Sequence, residues 1–296
     1  MHLPGPYRAP DETLLHGQGV PRGNVTARAT HASRAAYPGW SFEHSIYVPA
    51  QYDPERPAAL MVFQDGAHYL GLTDAKFNSV TTFDNLIARA EIPITIALFI
   101  DPGTPSGKYR YPADKQLRSL QYDALDGRFS RFLLDEIIPD LITSRFNIAT
   151  NAESWAIAGH SSGGTCAFTV AWQEPNKFRN VLTHNGSFVD IAGAHAYPAL
   201  VSAAAAKPLR VMLLSGSGDR RNQHGDWYRA NQALATSLLE KRYDYRFVTG
   251  TGQHYPPLQA VADYPDALRW LWSGRTPQCN IEQAAAARQA PDPVTH

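Results

Sequence analysis

From Ser154 to Trp172 the chain reads Ser-Trp-Ala-Ile-Ala-Gly-His-Ser-Ser-Gly-Gly-Thr-Cys-Ala-Phe-Thr-Val-Ala-Trp. Trp155 to Ala158 has the length and apolar content of a buried strand, and Thr165 to about Trp172 reads as an apolar helix. Between them, Gly159-His160-Ser161-Ser162-Gly163 has to turn the chain sharply. A serine perched on such a bend needs neighbours two residues away that carry almost no side chain. Gly159 and Gly163 meet that need, and Gly164 lets the helix pack close to the sheet. A Gly-x-Ser-x-Gly between strand and helix is a nucleophile elbow, which makes Ser161 the candidate nucleophile.

Around this centre, strand and helix patterns alternate. Ser41–Val48 alternates polar and apolar, as a strand with one wet face does. Ala58–Gln64 and Ile94–Ile100 are continuous apolar runs, the pattern of central strands. Short strands are also expected at Asn180–Thr183, Leu209–Leu214 and Tyr245–Thr249. Helical spacing covers Asp74–Ala90, Leu125–Phe146 (with a kink or restart at Pro139), Trp227–Lys241 and Asp263–Trp272. Thr104–Arg118 is polar, basic and punctuated by Pro and Gly, so it reads as a long loop. The fold class implied is α/β, a doubly wound and mainly parallel central sheet with helices on both faces. The divisions expected are an extended N-terminal arm over residues 1–35 with one edge strand near Asn24–Thr30, a catalytic domain over 36–274, and a flexible C-terminal tail over 275–296.

A serine hydroxyl is a weak nucleophile until a base takes its proton, and the base needs an acid to hold its tautomer. In open α/β sheets such groups gather at the carboxyl ends of strands. Leu209–Leu214 leads into Ser215-Gly-Ser-Gly-Asp219, and Tyr245–Thr249 leads into Gly250-Thr-Gly-Gln-His254. Asp219 is therefore the candidate acid and His254 the candidate base. The order Ser, acid, His is that of α/β-hydrolases. Asp226 competes for the acid role, but it precedes a helix and suits an N-cap. Two amides should hold the oxyanion: that of Ser162, just after the nucleophile, and that of Ala67, in the turn after Ala58–Gln64. Asp65, His68, Tyr69, His160, Trp227 and Tyr255 border these turns and are candidates to line the substrate pocket. His184 reads better as a hydrogen-bonded core histidine.

Composition removes several alternatives. The 27 basic and 27 acidic side chains balance, so no nucleic acid or anionic membrane is implied as partner. Cys166 and Cys279 are the only cysteines, and no metal-ligand spacing occurs, so neither a metal nor another cofactor is expected. Cys166 lies on the apolar helix and reads as a buried thiol. No apolar signal core or membrane-length run is present, which suits a cytoplasmic or periplasmic protein. Oligomeric state is not legible.

Several stretches together resemble a known family. These are Tyr47-Val-Pro-Ala-Gln-Tyr-Asp53, Val62-Phe-Gln-Asp-Gly66, Phe132-Leu-Leu-Asp-Glu-Ile-Ile-Pro139, Ala158-Gly-His-Ser-Ser-Gly-Gly164, Asn185-Gly-Ser-Phe188 and Gly252-Gln-His254. In this order they resemble motifs of the putative-esterase family of α/β-hydrolases, which includes enterochelin esterases, esterase D, mycolyltransferases and feruloyl and acetylxylan esterases. The resemblance spans roughly residues 37–273 and is strongest to the enterochelin-esterase-like branch. It implies Ser161 as nucleophile, His254 as base, Asp219 as acid and Ala67 as oxyanion donor. Two positions depart from it: Gln121-Tyr122 stands where relatives commonly have Glu-Tyr, and His160 where they have a small residue.

The function expected is that of a serine carboxylic-ester hydrolase working through an acyl-enzyme. Its substrate would be a small-molecule or carbohydrate ester, with feruloyl or catecholate acyl groups favoured if the aromatic residues line the pocket. The same triad would serve an acyltransferase or a lactonase. A non-catalytic binding protein on the same scaffold is the remaining alternative.

Overall fold

The structure, a computed structural model, describes residues 1–274. In chain order, β1 (Asn24–Val25), β2 (Ala29–Ala32), β3 (Ser41–Val48), β4 (Ala59–Gln64), β5 (Thr95–Ile100), β6 (Trp155–His160), β7 (Asn180–His184), β8 (Arg210–Gly218) and β11 (Asp244–Gln253) form a nine-stranded sheet. Two short strands, β9 (Arg221–Asn222) and β10 (Gly225–Asp226), pair by themselves in a hairpin. The helices are α1 (Asp11–Leu14), α2 (Gly66–Tyr69), α3 (Ser79–Ala88), α4 (Lys115–Tyr122), α5 (Arg128–Arg131), α6 (Ser162–Gln173), α7 (Tyr197–Ala203), α8 (Trp227–Glu240) and α9 (Leu258–Trp272).

The sheet runs β1-β3-β5-β4-β6-β7-β8-β11, with β2 also on β3. From β5 to β11 every pairing is parallel; β3 is antiparallel to β5, β1 and β2. After β4 the chain moves out to β5, whereas after β6 it moves the opposite way, to β7. The carboxyl ends of β4 and β6 therefore flank a topological switch point, where open α/β sheets leave a crevice.

The apolar runs explain why the sheet is buried on both faces. Successive side chains of a strand point to opposite sides. Leu60 and Val62 of β4, with Ile157 of β6, join Phe168 of α6 and Leu234 and Leu238 of α8 in one core. Met61, Phe63, Ala156 and Ala158 join Phe83 and Leu86 of α3 and Tyr264 and Leu268 of α9 in the other.

Boundaries moved where tertiary contacts override local pattern. β3, expected to have a wet face, is covered on both faces over most of its length: Phe42 and Ile46 join one core, and Tyr47 the other. The arm forms two short strands instead of one, and residues 1–3 bond to Thr249 beside β11. It thus reaches both edges of the sheet and contributes strands to it. The stretch 125–146 opens as α5 and continues in wide, π-type turns, a second run of which starts at Pro139 after the helical Ile138. The long loop ends inside α4, which carries Arg118. The expected tail, 275–296, and Cys279 lie outside the described residues; Cys166 is buried.

Candidate active site

Ser161 lies between β6 and α6 with φ 59° and ψ −126°, a region that non-glycine residues rarely occupy, at a cost of about 1–3 kcal/mol. The surrounding bonds hold it there. Its amide donates to His184 O (2.9 Å), and its carbonyl accepts from the amides of Gly164, Thr165 and Ser187. Both flanking glycines are sterically required. A Cβ on Gly159 would lie 2.1 Å from Gly163 O, and one on Gly163 would lie 2.7 Å from Asp65 Oδ2.

His254 follows β11, and its Nε2 is 2.9 Å from Ser161 Oγ. Its Nδ1 is 2.7 Å from Asp219 Oδ1, beyond the end of β8. A carboxylate only accepts, so Nδ1 carries the hydrogen and Nε2 presents its lone pair to the serine hydroxyl. Asp219 also accepts from Asn185 Nδ2 (2.7 Å), Ser215 Oγ (2.6 Å) and the Arg220 amide (2.7 Å). Burial pushes its carboxyl up, but the bond to His254 and those from Ser215 and Asn185 outweigh it and hold the group below the usual carboxylate range. Burial lowers His254; Asp219 opposes that, while Arg220 and Arg118 add to it, and the net direction is down. The imidazole is thus neutral near pH 7 and able to accept a proton.

Asp226, the competing acid, caps α8 by accepting from the Arg229 amide (3.0 Å) and pairs with Arg221. A further hydroxyl, not predicted from the sequence, enters the site from the Asn185-Gly-Ser-Phe188 turn. Ser187 Oγ accepts from Trp227 Nε1 (2.9 Å) and lies 3.3 Å from Ser161 Oγ. Because the Ser161 hydroxyl hydrogen points to His254 Nε2, Ser187 is the donor in this contact.

Other candidate positions are corrected. The Ala67 amide donates to Asp101 Oδ1 (2.9 Å), so its hydrogen is engaged by a carboxylate and not open to an oxyanion in this arrangement. Asp101 is itself paired with Arg28. Ser162 opens the twelve-residue α6, where the first amides lack intrahelical acceptors. Tyr69 is fully buried, its hydroxyl on His184 Nδ1 (3.0 Å) and its ring stacked on Phe77, so it cannot line a pocket. Burial holds His184 down at about 3, and it is a core histidine. Asp65 is buried and held by Arg118 Nε and Nη2 at 2.8 and 2.6 Å. His160 and Trp227 are also buried; Trp227 meets the His254 ring edge-on, with ring centroids 5.8 Å apart. Of the aromatic candidates only Tyr255, 42% exposed, and the half-buried His68 offer surface, with ring centroids 6.2 Å apart. Among the described residues no group of His, Cys, Asp and Glu could hold a metal ion, and no helix is long and apolar enough to cross a membrane.

The sequence profile of the family described as Putative esterase matches residues 35–270. The chain belongs to this family. Its mixed, mostly parallel sheet is the α/β-hydrolase fold. Solved structures of similar fold include the enterobactin esterase of Shigella flexneri determined with enterobactin: TM-score 0.67, 21% identity, covering 86% of this chain and 61% of that one. A ferric enterobactin esterase of Salmonella typhimurium has TM-score 0.67 and 20% identity over 86% of this chain and 59% of its own. A ferulic acid esterase of Anaeromyces mucronatus, in complex with ferulic acid, has TM-score 0.66 and 13% identity over 88% and 94%. The chain therefore spans about three fifths of the length of the enterobactin esterases it matches. No curated protein matches the sequence.

Proposed function

We propose that the protein hydrolyses carboxylic esters through an acyl-enzyme on Ser161, with His254 as general base and Asp219 as the acid that orients it. The observation that carries this reading is the continuous relay Ser161–His254–Asp219, with contacts of 2.9 and 2.7 Å. Ser161 Oγ attacks the ester carbonyl carbon while His254 Nε2 takes its proton. The tetrahedral oxyanion is met by the amides at the start of α6, that of Ser162 first. Collapse breaks the bond to the alkoxy group, which leaves as an alcohol with the proton from His254. Water then enters, gives a proton to the same nitrogen and attacks the acyl carbon; the acid departs as the proton returns to Ser161. Asp219 stays ionised and stabilises the imidazolium in both halves.

For the substrate we propose an ester of an aromatic acid. Enterobactin and ferulic acid are the compounds named with the structural neighbours, and His68 and Tyr255 supply aromatic surface near the base. The test is a panel of p-nitrophenyl, feruloyl, acetyl-sugar and catecholate esters against wild type and Ser161→Ala, with organophosphonate labelling of Ser161. Hydrolysis that vanishes in Ser161→Ala, together with a phosphonate adduct on Ser161 alone, is expected. Undiminished turnover by Ser161→Ala would refute the assignment, and a dominant transfer product with an added alcohol acceptor would make the enzyme an acyltransferase.

A further inference from the structure

The loop that carries His254 has little backbone pairing of its own. The register of β11 on β8 shifts between Gly250 and Gln253, and side chains from elsewhere take over. Tyr7 Oη accepts from the Thr251 amide (2.7 Å), and Gln259 Oε1 accepts from the Gly252 amide (2.8 Å). At His254 itself the partner is His160, whose Nε2 lies 3.0 Å from the His254 carbonyl oxygen. A carbonyl only accepts, so His160 must carry its hydrogen on Nε2.

His160 is the last residue of β6 and the one before the nucleophile. It is paired in register with His184, and its own carbonyl accepts from Arg118 Nη2 (3.2 Å). Its ring lies between those of His254 and His68, with centroid distances of 5.0 and 6.2 Å. One residue thus connects the strand that presents the serine to the backbone of the base, using a donor that a small residue at this place would lack. Building on the Ser161–His254 reading above, we propose that His160 is a positioning residue: its Nε2–H holds the His254 backbone at the distance from which the imidazole reaches Ser161. It touches no reacting atom. Burial, reinforced by His254, His68, His184 and Arg118, keeps it neutral, as a one-hydrogen donor must be.

The test compares two replacements of similar length that differ in the donor. His160→Met removes it and His160→Gln restores it. With p-nitrophenyl acetate and rates normalised to folded protein, His160→Met should lose roughly ten- to a hundredfold in kcat, because small displacements of a catalytic group cost that much. KM should stay within about twofold, the signature of a loss felt in the transition state. His160→Gln should regain most of the rate. Equal kcat for the two variants, or wild-type kcat in His160→Met, would overturn the proposal. A measurement on the intact enzyme guards against variants that do not fold: long-range proton–nitrogen spectra should show His160 as the Nε2–H tautomer, and the Nδ1–H tautomer would overturn it. Ser161→Ala, run alongside, separates the two failures. If it is inactive while His160→Met is normal, only the positioning role falls; if it is active, the catalytic reading falls first.

Discussion

Arg118 grips Asp65 with two parallel hydrogen bonds, Nε to Oδ1 at 2.8 Å and Nη2 to Oδ2 at 2.6 Å, beside Gly163 of the turn that carries Ser161. The same guanidinium reaches His160 O and lies over the Tyr122 ring, 5.2 Å from its centroid. Asp65 holds φ 55°, so the pair also secures a left-handed residue at the end of β4. Replacing Arg118 by Met strands a buried carboxylate, and the loss of stability should be about 3–5 kcal/mol. Arg118→Lys should recover only part of it, since an ammonium cannot make the two-pronged contact. Urea unfolding of the three proteins measures this; a loss under about 1 kcal/mol for Arg118→Met would place the pair among weak surface bridges.

Two aspartates in neighbouring turns should behave oppositely. Asp219→Asn keeps the shape but removes the charge that selects the His254 tautomer, so kcat should fall by about four orders of magnitude with little change in melting. Asp226→Ala removes a helix cap and should cost about 1 kcal/mol of stability while leaving turnover near wild type. Steady-state kinetics and thermal melts on both variants decide it, and the reverse pattern would reassign the acid.

The acid limb of kcat/KM reports the protonation of His254 in the free enzyme. Its folded value lies below the ordinary 6.5, chiefly through burial. The base is lost only as pH falls through that lower value, so the midpoint should lie below 6.5 and activity at that pH should exceed half of its plateau. A midpoint at or above 7 would contradict the electrostatics described for the site.

Asp263 of α9 is buried, and one of its carboxylate oxygens has no hydrogen-bond partner. Burial raises its pKa from 3.8 to about 7. Between those values the folded state holds a proton that the unfolded chain has released, so this group makes stability fall as pH rises from about 4 to 7. Asp263→Asn should therefore raise the melting temperature at pH 8 by several degrees and change it little near pH 4. An unchanged melting temperature at pH 8 would show that the site relaxes to hydrate the charge.

Ser187→Ala leaves the Trp227 indole hydrogen without its buried acceptor and takes a donor away from Ser161. A destabilisation of about 1–3 kcal/mol is expected, with a loss of kcat in the same variant. Calorimetry and kinetics on the purified variant test both parts together.

The residue order alone makes legible what short-range chemistry can express. Apolar runs of strand length predicted β4, β5 and β6, because a strand covered on both faces has no polar side to show. The spacing of Gly159 and Gly163 about Ser161 marked the bend, because the requirement for a missing Cβ is local and absolute. Asp219 and His254 could be nominated because both follow apolar strands on glycine-bearing turns. The direction in which a given polar group points was decided only by tertiary structure. Ala67 sits in the expected turn, yet its amide meets Asp101, which lies 34 residues further along the chain. Tyr69 and His160 flank the right turns, but helices and loops from distant parts of the chain bury them. Nor could a pattern of residue types foretell that Arg118 closes on Asp65 or that Ser187 stands between Trp227 and Ser161. Hydrogen bonds depend on distances of a few tenths of an ångström, and those distances exist only after nine strands and the arm that reaches both edges of their sheet have packed together.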